Sequence, residues 1–447
     1  MHIRFGTDGV RGEANSALTV ETALALGRAA ARVFPTASVV IGRDTRLSGP
    51  MFELAVAAGV CAEGADAVLL GVVPTPAVAA VSASKQITGV MISASHNPFY
   101  DNGIKLFAPG GRKLSDAEQG QIEAALEELL DSVPHPGPVG AQVGSVIQAD
   151  AQASDEYLDS VAAVIEGRSL AGLKVVLDCA NGSNSVLGPK LLARLGADLC
   201  VLANDPDGLN INHECGSTSV SALSAQVVAE GADLGIAFDG DADRLLAVDH
   251  TGQVVDGDHI IALCAMDLSE RDQLAQNTVV VTVMSNLGFL QGMQRAGISV
   301  VQTAVGDRNV LQALAEGEYS LGGEQSGHII FADHSTTGDG LLGAVVLLDL
   351  LRRSGRPLAE LAQAAMTRLP QVLLNVPVAR PMPEVATLLA EELARAEAEL
   401  GETGRVLLRP SGTEALVRVM VEAENSSDAQ RIAEELVQAV EKLARVT

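Results

Sequence analysis

Tryptophan is absent from this chain of 447 residues, and aromatic side chains make up only 2% of it. Its cores must therefore be aliphatic, built from Val, Leu, Ile and Ala. Cysteine is also scarce. Cys61, Cys179, Cys200, Cys215 and Cys264 form an odd set with no C-x-x-C spacing, which fits a reduced cytosolic protein better than a disulfide or zinc framework. Positive charge is in short supply: 30 Lys and Arg stand against 56 Asp and Glu, a formal net charge of −26. That balance repels nucleic acid and anionic membrane at long range. It repels an anionic substrate as well, so a phosphate site here needs a local gathering of Arg, Lys or helix N-termini. No uncharged apolar run is long enough to span a bilayer, and the opening MHIRFGTDGV lacks a basic-then-apolar signal pattern. The expected location is the cytoplasm, with neither nucleic acid nor membrane as partner. Neither a P-loop G-x-x-x-x-G-K-[ST] nor a Rossmann G-x-G-x-x-G occurs, so nucleotide binding has little support.

What the chain does have is apolar material, 47% of its residues, in a length that exceeds one ordinary core and implies two to four domains. The recurring unit is a short apolar strand, a polar loop and an amphipathic helix. Ala37–Ile41, Gly89–Ile92, Lys174–Leu177, Leu234–Phe238, Thr278–Val283 and Ser299–Val301 read as buried strands. Compact polar turns follow them, at Gly42, Ala94, Asp178, Asp239, Met284 and Gly306. Ligands in open α/β sheets bind beyond the carboxyl ends of strands, so chemistry is sought in these turns. Ser115 with Glu118, and Ser427 with Gln430, read as capping boxes ahead of apolar helical stripes. Breaks at Ser132–Ser145, Asp249–Gly257 and Pro370–Pro383 divide the chain into four expected domains: 1–145, 146–250, 251–369 and a smaller α+β domain, 370–447.

Four motifs carry chemistry. In Asp239-Gly240-Asp241-Ala242-Asp243-Arg244, three carboxylates alternate with small residues. On an extended segment they project to one side and offer hard oxygen donors to a cation such as Mg²⁺. An EF-hand fails, because Arg244 stands where Gly is needed and His250 where Glu is needed. The alternative is an acidic hairpin turn between flanking strands, though three Asp so close repel one another without a cation. In Ser93-Ala94-Ser95-His96-Asn97-Pro98, with Asp101-Asn102-Gly103-Ile104-Lys105 after it, Ser95 is a candidate phosphoryl acceptor, or else a cap on the turn that Asn97-Pro98 closes. No G-x-S-x-G elbow surrounds it, which counts against a hydrolase. Gly322-Gly323-Glu324-Gln325-Ser326-Gly327-His328 offers a carboxylate, an amide, a hydroxyl and an imidazole to sugar hydroxyls or an amine, or is a polar hairpin turn before the strand Ile329–Phe331. Arg409-Pro410-Ser411-Gly412-Thr413-Glu414, with Arg418 beyond, is an anion cradle or an ordinary connecting loop.

In this order and spacing, FGTDGVRG at Phe5, SASHNP at Ser93, DGDADR at Asp239, GEQSGH at Gly323 and RPSGTE at Arg409 resemble the α-D-phosphohexomutase superfamily over nearly the whole chain. FGTDGVRG, Gln325 and DPDGLNIN from Asp205 resemble its glucosamine-phosphate branch; the mannose- and glucose-phosphate enzymes usually carry Met where Gln325 stands. The resemblance implies four domains around a central cleft, three α/β with mixed sheets between helices and a smaller α+β fourth. It implies one Mg²⁺ held by Asp239, Asp241, Asp243 and an oxygen on a phosphorylated Ser95. It places Arg11, Lys105, Arg244 and His328 at the reacting phosphate and Glu324, Gln325 and Ser326 on the sugar. Arg409, Ser411, Gly412, Thr413 and Arg418 take the phosphate that is not reacting. The implied activity moves a phosphate between two positions of a hexosamine through glucosamine 1,6-bisphosphate, supplying amino-sugar nucleotide and cell-wall synthesis. The partner is a small phosphosugar, and assembly is left between monomer and homodimer. A mannose- or glucose-phosphate mutase, or a silent phosphosugar-binding protein, are the rival readings. Departures from the pattern are Ala415 where Pro is usual, Asn309 where Tyr is usual, and the stretch Asn181–Ser185.

Overall fold

A computed structural model describes residues 9–131, 135–410 and 415–446. The chain divides into two compact units, the larger of Met1–Met284 and Ile298–Gln363, the smaller of Ser285–Gly297 and Ala364–Thr447.

Among its described residues the larger unit has three sheets. The first runs Val10–Glu13, Asp101–Ala108, Thr88–Ile92, Ser38–Arg43, Asp66–Val72, Val146–Gln148, with Arg112–Lys113 pairing beside Asp101–Ala108. Thr88–Ile92 and Asp66–Val72 both lie parallel to Ser38–Arg43, and helices Gly49–Ala62 and Thr75–Lys85 make the crossovers. All five residues of Thr88–Ile92 are buried, which is why that strand reads as an unbroken apolar run. The second sheet runs Val254–Val255, Leu245–Asp249, Leu234–Phe238, Lys174–Asp178, Asp198–Leu202, and the third Ser299–Thr303, Thr278–Thr282, Leu321–Gly323, Ile329–Phe331. Each mixes parallel strands with an antiparallel hairpin, Leu234–Phe238 with Leu245–Asp249 in one and Leu321–Gly323 with Ile329–Phe331 in the other. The acidic motif and the Gly-rich motif are the turns of those two hairpins.

The smaller unit is an antiparallel sheet, Gln371–Pro377, Leu416–Glu422, Arg405–Pro410. Its apolar side and the helix Ser426–Val446 share a core that includes Val417, Val419, Val421, Ile432, Leu436 and Val440. The expected fold class, mixed α/β sheets between helices followed by a smaller α+β unit, is the one observed.

Several local expectations change. Asp101–Lys105, left without an element in the sequence, starts the strand Asp101–Ala108, antiparallel to Thr88–Ile92 with Ile92 opposite Ile104. Pro370–Pro383 is not simply a break: it holds the strand Gln371–Pro377, hydrogen-bonded along its length to Leu416–Glu422. The Ser115–Glu118 box forms, with the Ser115 N–H donating to the Glu118 carboxylate and the Glu118 N–H to the Ser115 hydroxyl. Ser427 lies inside its helix instead, and the cap is Asn425, whose side-chain oxygen accepts from the Asp428 N–H. All five cysteines are free. Among the described residues no helix is long and apolar enough to cross a membrane.

Candidate active site

Ser95 sits just beyond the buried strand Thr88–Ile92, with its backbone left-handed at φ 54°. That region costs a residue with a Cβ roughly 1–2 kcal/mol, so the surroundings must hold it there. The Ser95 N–H donates to the Ser93 hydroxyl at 2.9 Å, and that hydroxyl donates to Asp44 Oδ2 at 2.6 Å. The Ser95 hydroxyl donates to Asp239 Oδ2 at 2.5 Å and stands 3.3 Å from His96 Nδ1. A serine of the first sheet thus meets a carboxylate of the second, 144 residues away in sequence.

The three carboxylates do not project from an extended segment as the sequence suggests. They lie on a hairpin turn in which Ala242 adopts φ 55°, and the turn brings one oxygen of each within 4.8 Å of the others. Asp241 Oδ2 accepts from the Thr75 hydroxyl at 2.6 Å and from Lys105 Nζ at 2.7 Å; Lys105 also donates to Asp243 Oδ2 at 3.0 Å. The Arg244 N–H donates to Asp239 Oδ1 at 3.1 Å. Among the described residues, Asp241 Oδ1 and Asp243 Oδ1 are buried with no hydrogen-bond partner. A buried anionic oxygen without a donor is costly, and the deficit is of the kind a hard cation removes. The residues present therefore fit a divalent metal. Charge is distributed unevenly among them. Burial, then Asp243 and Asp241, push Asp239 well above the usual carboxylate range. Burial also pushes on Asp243, but Lys105, His328 and Arg244 outweigh it and hold that group well below the range. His328 Nδ1 stands 3.7 Å from Asp243 Oδ1.

Two arginines act on His96, the neighbour of Ser95. Arg11, on the strand Val10–Glu13, pairs in register with Gly103, two residues from Lys105. Burial, then Arg244 and Arg11, bring His96 down to about 4, so the neighbour of Ser95 is a neutral imidazole in a positive field. His328 takes the opposite direction: burial lowers it, but Asp243 and Asp307 together raise it more. Its Nε2 accepts the Gly338 N–H at 3.2 Å, and Asp307 is itself paired with Lys113. In the hairpin turn of the third sheet, Glu324 Oε1 accepts the Gly306 N–H at 3.1 Å and the Gln325 carbonyl accepts the Gly257 N–H at 3.1 Å. Among the described residues Gln325 Nε2 is buried without a partner, and Ser326 is exposed.

Four family models match in succession: phosphoglucomutase/phosphomannomutase domain I over residues 2–131, domain II over 155–252, domain III over 256–369 and the C-terminal domain over 373–439. A phosphoglucosamine mutase of Frankia alni is 54% identical, covering 98% of this chain and 97% of its own length. One from Streptomyces avermitilis is 52% identical, covering 98% of each. The chain belongs to the phosphoglucosamine mutase branch of the phosphoglucomutase/phosphomannomutase family. Among solved structures, a phosphoglucomutase/phosphomannomutase family protein of Burkholderia thailandensis is similar with a TM-score of 0.82 and 26% identity, covering 100% of this chain and 98% of that one. An N-acetylphosphoglucosamine mutase of Aspergillus fumigatus, at 20% identity and a TM-score of 0.70, shares the fold over 99% of this chain and 96% of its own.

Of the mutase residues nominated from sequence, Ser95, Asp239, Asp241, Asp243, Lys105, Arg244 and His328 form one connected cluster in the larger unit. Arg11 joins it through its effect on His96. Arg409 and Arg418 lie opposite each other on paired strands of the smaller unit, while Ser411, Gly412 and Thr413 fall outside the described residues. Sequence reasoning missed Thr75 and Asp44. Asp44 belongs to the polar turn after Ser38–Arg43, a usable signal; Thr75, at the start of a helix, gave none.

Proposed function

We propose that this chain interconverts glucosamine 6-phosphate and glucosamine 1-phosphate through a phosphoryl group carried on Ser95. The observation that carries the reading is the 2.5 Å hydrogen bond between the Ser95 hydroxyl and the acidic turn of a different sheet. Binding alone needs no nucleophile on a metal-competent carboxylate cluster. Asp239, Asp241 and Asp243, with an oxygen on Ser95, would hold one Mg²⁺; bound there, it draws charge from the Ser95 oxygen and makes it a better leaving group.

The side chains do the rest. Phosphoryl transfer asks for positioning and neutralised charge more than for covalent help. Arg244 and Arg11 supply the positive field into which a phosphoryl group moves. Phosphorylated Ser95 gives that group to the free sugar oxygen, making glucosamine 1,6-bisphosphate, and after the intermediate turns round Ser95 takes the other phosphate back. The hydroxyl proton passes to Lys105 or His328, with Lys105 slightly favoured by its closeness in sequence to the Ser95 loop. Lys105 is paired with Asp241 and Asp243, and His328 stands between Asp243 and Asp307, so ion pairing does not separate the two. Glu324, Gln325 and Ser326 hold the sugar, and Arg409 and Arg418, with Ser411, Gly412 and Thr413, take the phosphate that is not reacting. We place the reaction in the cytoplasm, consistent with five free cysteines.

The test is kcat/KM for the 6-phosphates of glucosamine, glucose and mannose, measured side by side with added Mg²⁺, together with intact mass of the purified protein. The reading expects glucosamine 6-phosphate to lead and part of the sample to carry one phosphate on Ser95. A lead for mannose 6-phosphate would replace the substrate, and no turnover with any of the three would leave a binding protein.

A further inference from the structure

The segment DPDGLNIN, part of the resemblance read from the sequence but given no role there, lies against the Ser95 loop. Its last residue, Asn212, donates through Nδ2 to the Ser95 carbonyl at 2.9 Å and to the Asn97 carbonyl at 3.1 Å. The same two oxygens are taken from the other side by Arg46, whose Nη2 donates to Ser95 O at 2.8 Å and Asn97 O at 2.9 Å. The Arg46 Nη1 reaches on to the Asp101 carbonyl at 3.0 Å and to the Pro98 carbonyl. Nε closes an ion pair with Asp44 at 2.8 Å, both side chains fully buried. Asp44 in turn accepts from the Ser93 hydroxyl that receives the Ser95 N–H.

The two donors arrive from different sheets. Arg46 follows the strand Ser38–Arg43 of the first, and Asn212 belongs to the loop that follows Asp198–Leu202 of the second. The loops are also tied directly, by the Leu47 N–H to the Gly208 carbonyl at 2.9 Å and by the Thr45 hydroxyl to the Asn181 carbonyl at 2.6 Å. Gly240 closes the remaining side. A Cβ there would sit 2.5 Å from the Ser95 carbonyl oxygen and 2.9 Å from Asn212 Nδ2, so the acidic turn can approach only because that position has none. A planar guanidinium suits this task because it presents several N–H groups in a fixed fork, which an ammonium does not.

We propose that Asn212 and Arg46 are positioning residues for the Ser95 phosphoryl group. Together they fix the Ser95 carbonyl, and with it the left-handed backbone from which the hydroxyl reaches Asp239. Both bond the Ser95 main chain and not its hydroxyl, so they act through the backbone of the loop. The proposal rests on Ser95 being the phosphoryl carrier.

The experiment compares wild type, Asn212→Ala, Asn212→Asp and Arg46→Lys. Asn212 is only partly buried, so its variants are expected to fold, which thermal melting checks. Asn212→Asp keeps shape and volume but sets a carboxylate against two carbonyl oxygens. The expected result is a fall in kcat of about tenfold for Asn212→Ala and up to about a hundredfold for Asn212→Asp, the cost of misplacing a reacting group by an ångström or so. KM for the hexosamine phosphate and the half-saturating Mg²⁺ concentration should stay within about twofold. In the same proteins, the rate at which dephosphorylated Ser95 takes phosphate from glucose 1,6-bisphosphate, read by intact mass, should fall in the same order. Arg46→Lys should fall with them. Equal rates in wild type and both Asn212 variants would overturn the proposal, as would Asn212→Asp matching wild type while Asn212→Ala is impaired, the pattern of a space-filling side chain. A wild-type protein that takes no phosphate on Ser95 would instead remove the carrier role on which the proposal stands.

Discussion

Like charges are crowded at two places, and the two are compensated differently. In the larger unit, three aspartates bring oxygens within 4.8 Å of one another, and Lys105, Arg244 and His328 stand around them. In the smaller unit, Arg409 and Arg418 face each other across antiparallel strands, an arrangement that destabilises a sheet. Burial, then Arg418, pulls Arg409 down from its ordinary value. The acidic cluster thus brings part of its counter-charge with it and leaves two oxygens unmet. Among the described residues no carboxylate pairs with either arginine, so relief is expected from a ligand. Charge that is compensated internally can do chemistry while it holds a metal; charge that is not is suited to binding an anion. Removing a member of each group should therefore produce different defects.

The largest effect is expected at the acidic site, from the serine it holds. Ser95→Ala removes the atom through which the phosphoryl group passes, so turnover should fall by on the order of 10⁶-fold, as for other deleted nucleophiles. The melting temperature should hardly move, and intact mass should show no phosphate. Substantial turnover in the purified variant would end the phosphoserine mechanism.

Next comes the metal. Chelation should abolish activity and added Mg²⁺ should restore it. Asp241→Asn should raise the half-saturating Mg²⁺ concentration by more than about a hundredfold, beyond the 10- to 100-fold typical of losing an outer-shell partner. A binding-linked rise in melting temperature with Mg²⁺ should be seen in wild type and lost in Asp241→Asn. An enzyme indifferent to exhaustive chelation would leave the unmet oxygens of Asp241 and Asp243 without explanation.

The arginine pair should behave otherwise. Arg418→Ala gives up a charge-assisted contact of about 1.5–3 kcal/mol, or roughly ten- to a hundredfold in KM. It also removes a like-charge repulsion worth about 0.2–1 kcal/mol, so stability should hold or rise slightly. A large fall in kcat at constant KM, or a marked loss of stability, would erase the distinction between the two sites.

Much of this was legible in the sequence, for a physical reason. Strands buried on both faces must be apolar, so Leu234–Phe238 is delimited by its composition, and the chemistry-bearing turns directly follow such strands. The strand Asp101–Ala108 was hidden because Asn102-Gly103 carries a turn signal. In the fold, Gly103 serves a close approach instead, since a Cβ there would lie 2.5 Å from the Ser93 carbonyl. Arg46, Thr75 and Asn212 were not legible at all. Asn212 reaches its carbonyl across 117 residues, and no local pattern encodes a contact at that separation.

The smallest expected effect separates the two regions by what they recognise. The arginine pair should treat every hexose phosphate alike, because phosphate is common to all of them. Discrimination then falls to Gln325, beside Glu324 in the larger unit. The Gln325 amide is buried at one end with no partner there, and because amide oxygen and nitrogen can exchange places, that end can present an acceptor to a substrate amine. An amine that carries a proton near neutral pH forms a charge-assisted bond with it, about twice as strong as the neutral bond a C2 hydroxyl would make. Met at this position keeps the bulk and loses the acceptor. Gln325→Met should therefore narrow the kcat/KM gap between glucosamine 6-phosphate and glucose 6-phosphate by roughly tenfold, one contact of about 1.5 kcal/mol, with turnover retained. Arg418→Ala, assayed on the same two substrates, should lower both values and leave their ratio unchanged. If instead the arginine variant shifts the ratio and the glutamine variant does not, substrate choice belongs to the smaller unit, and Gln325 loses the role assigned to it.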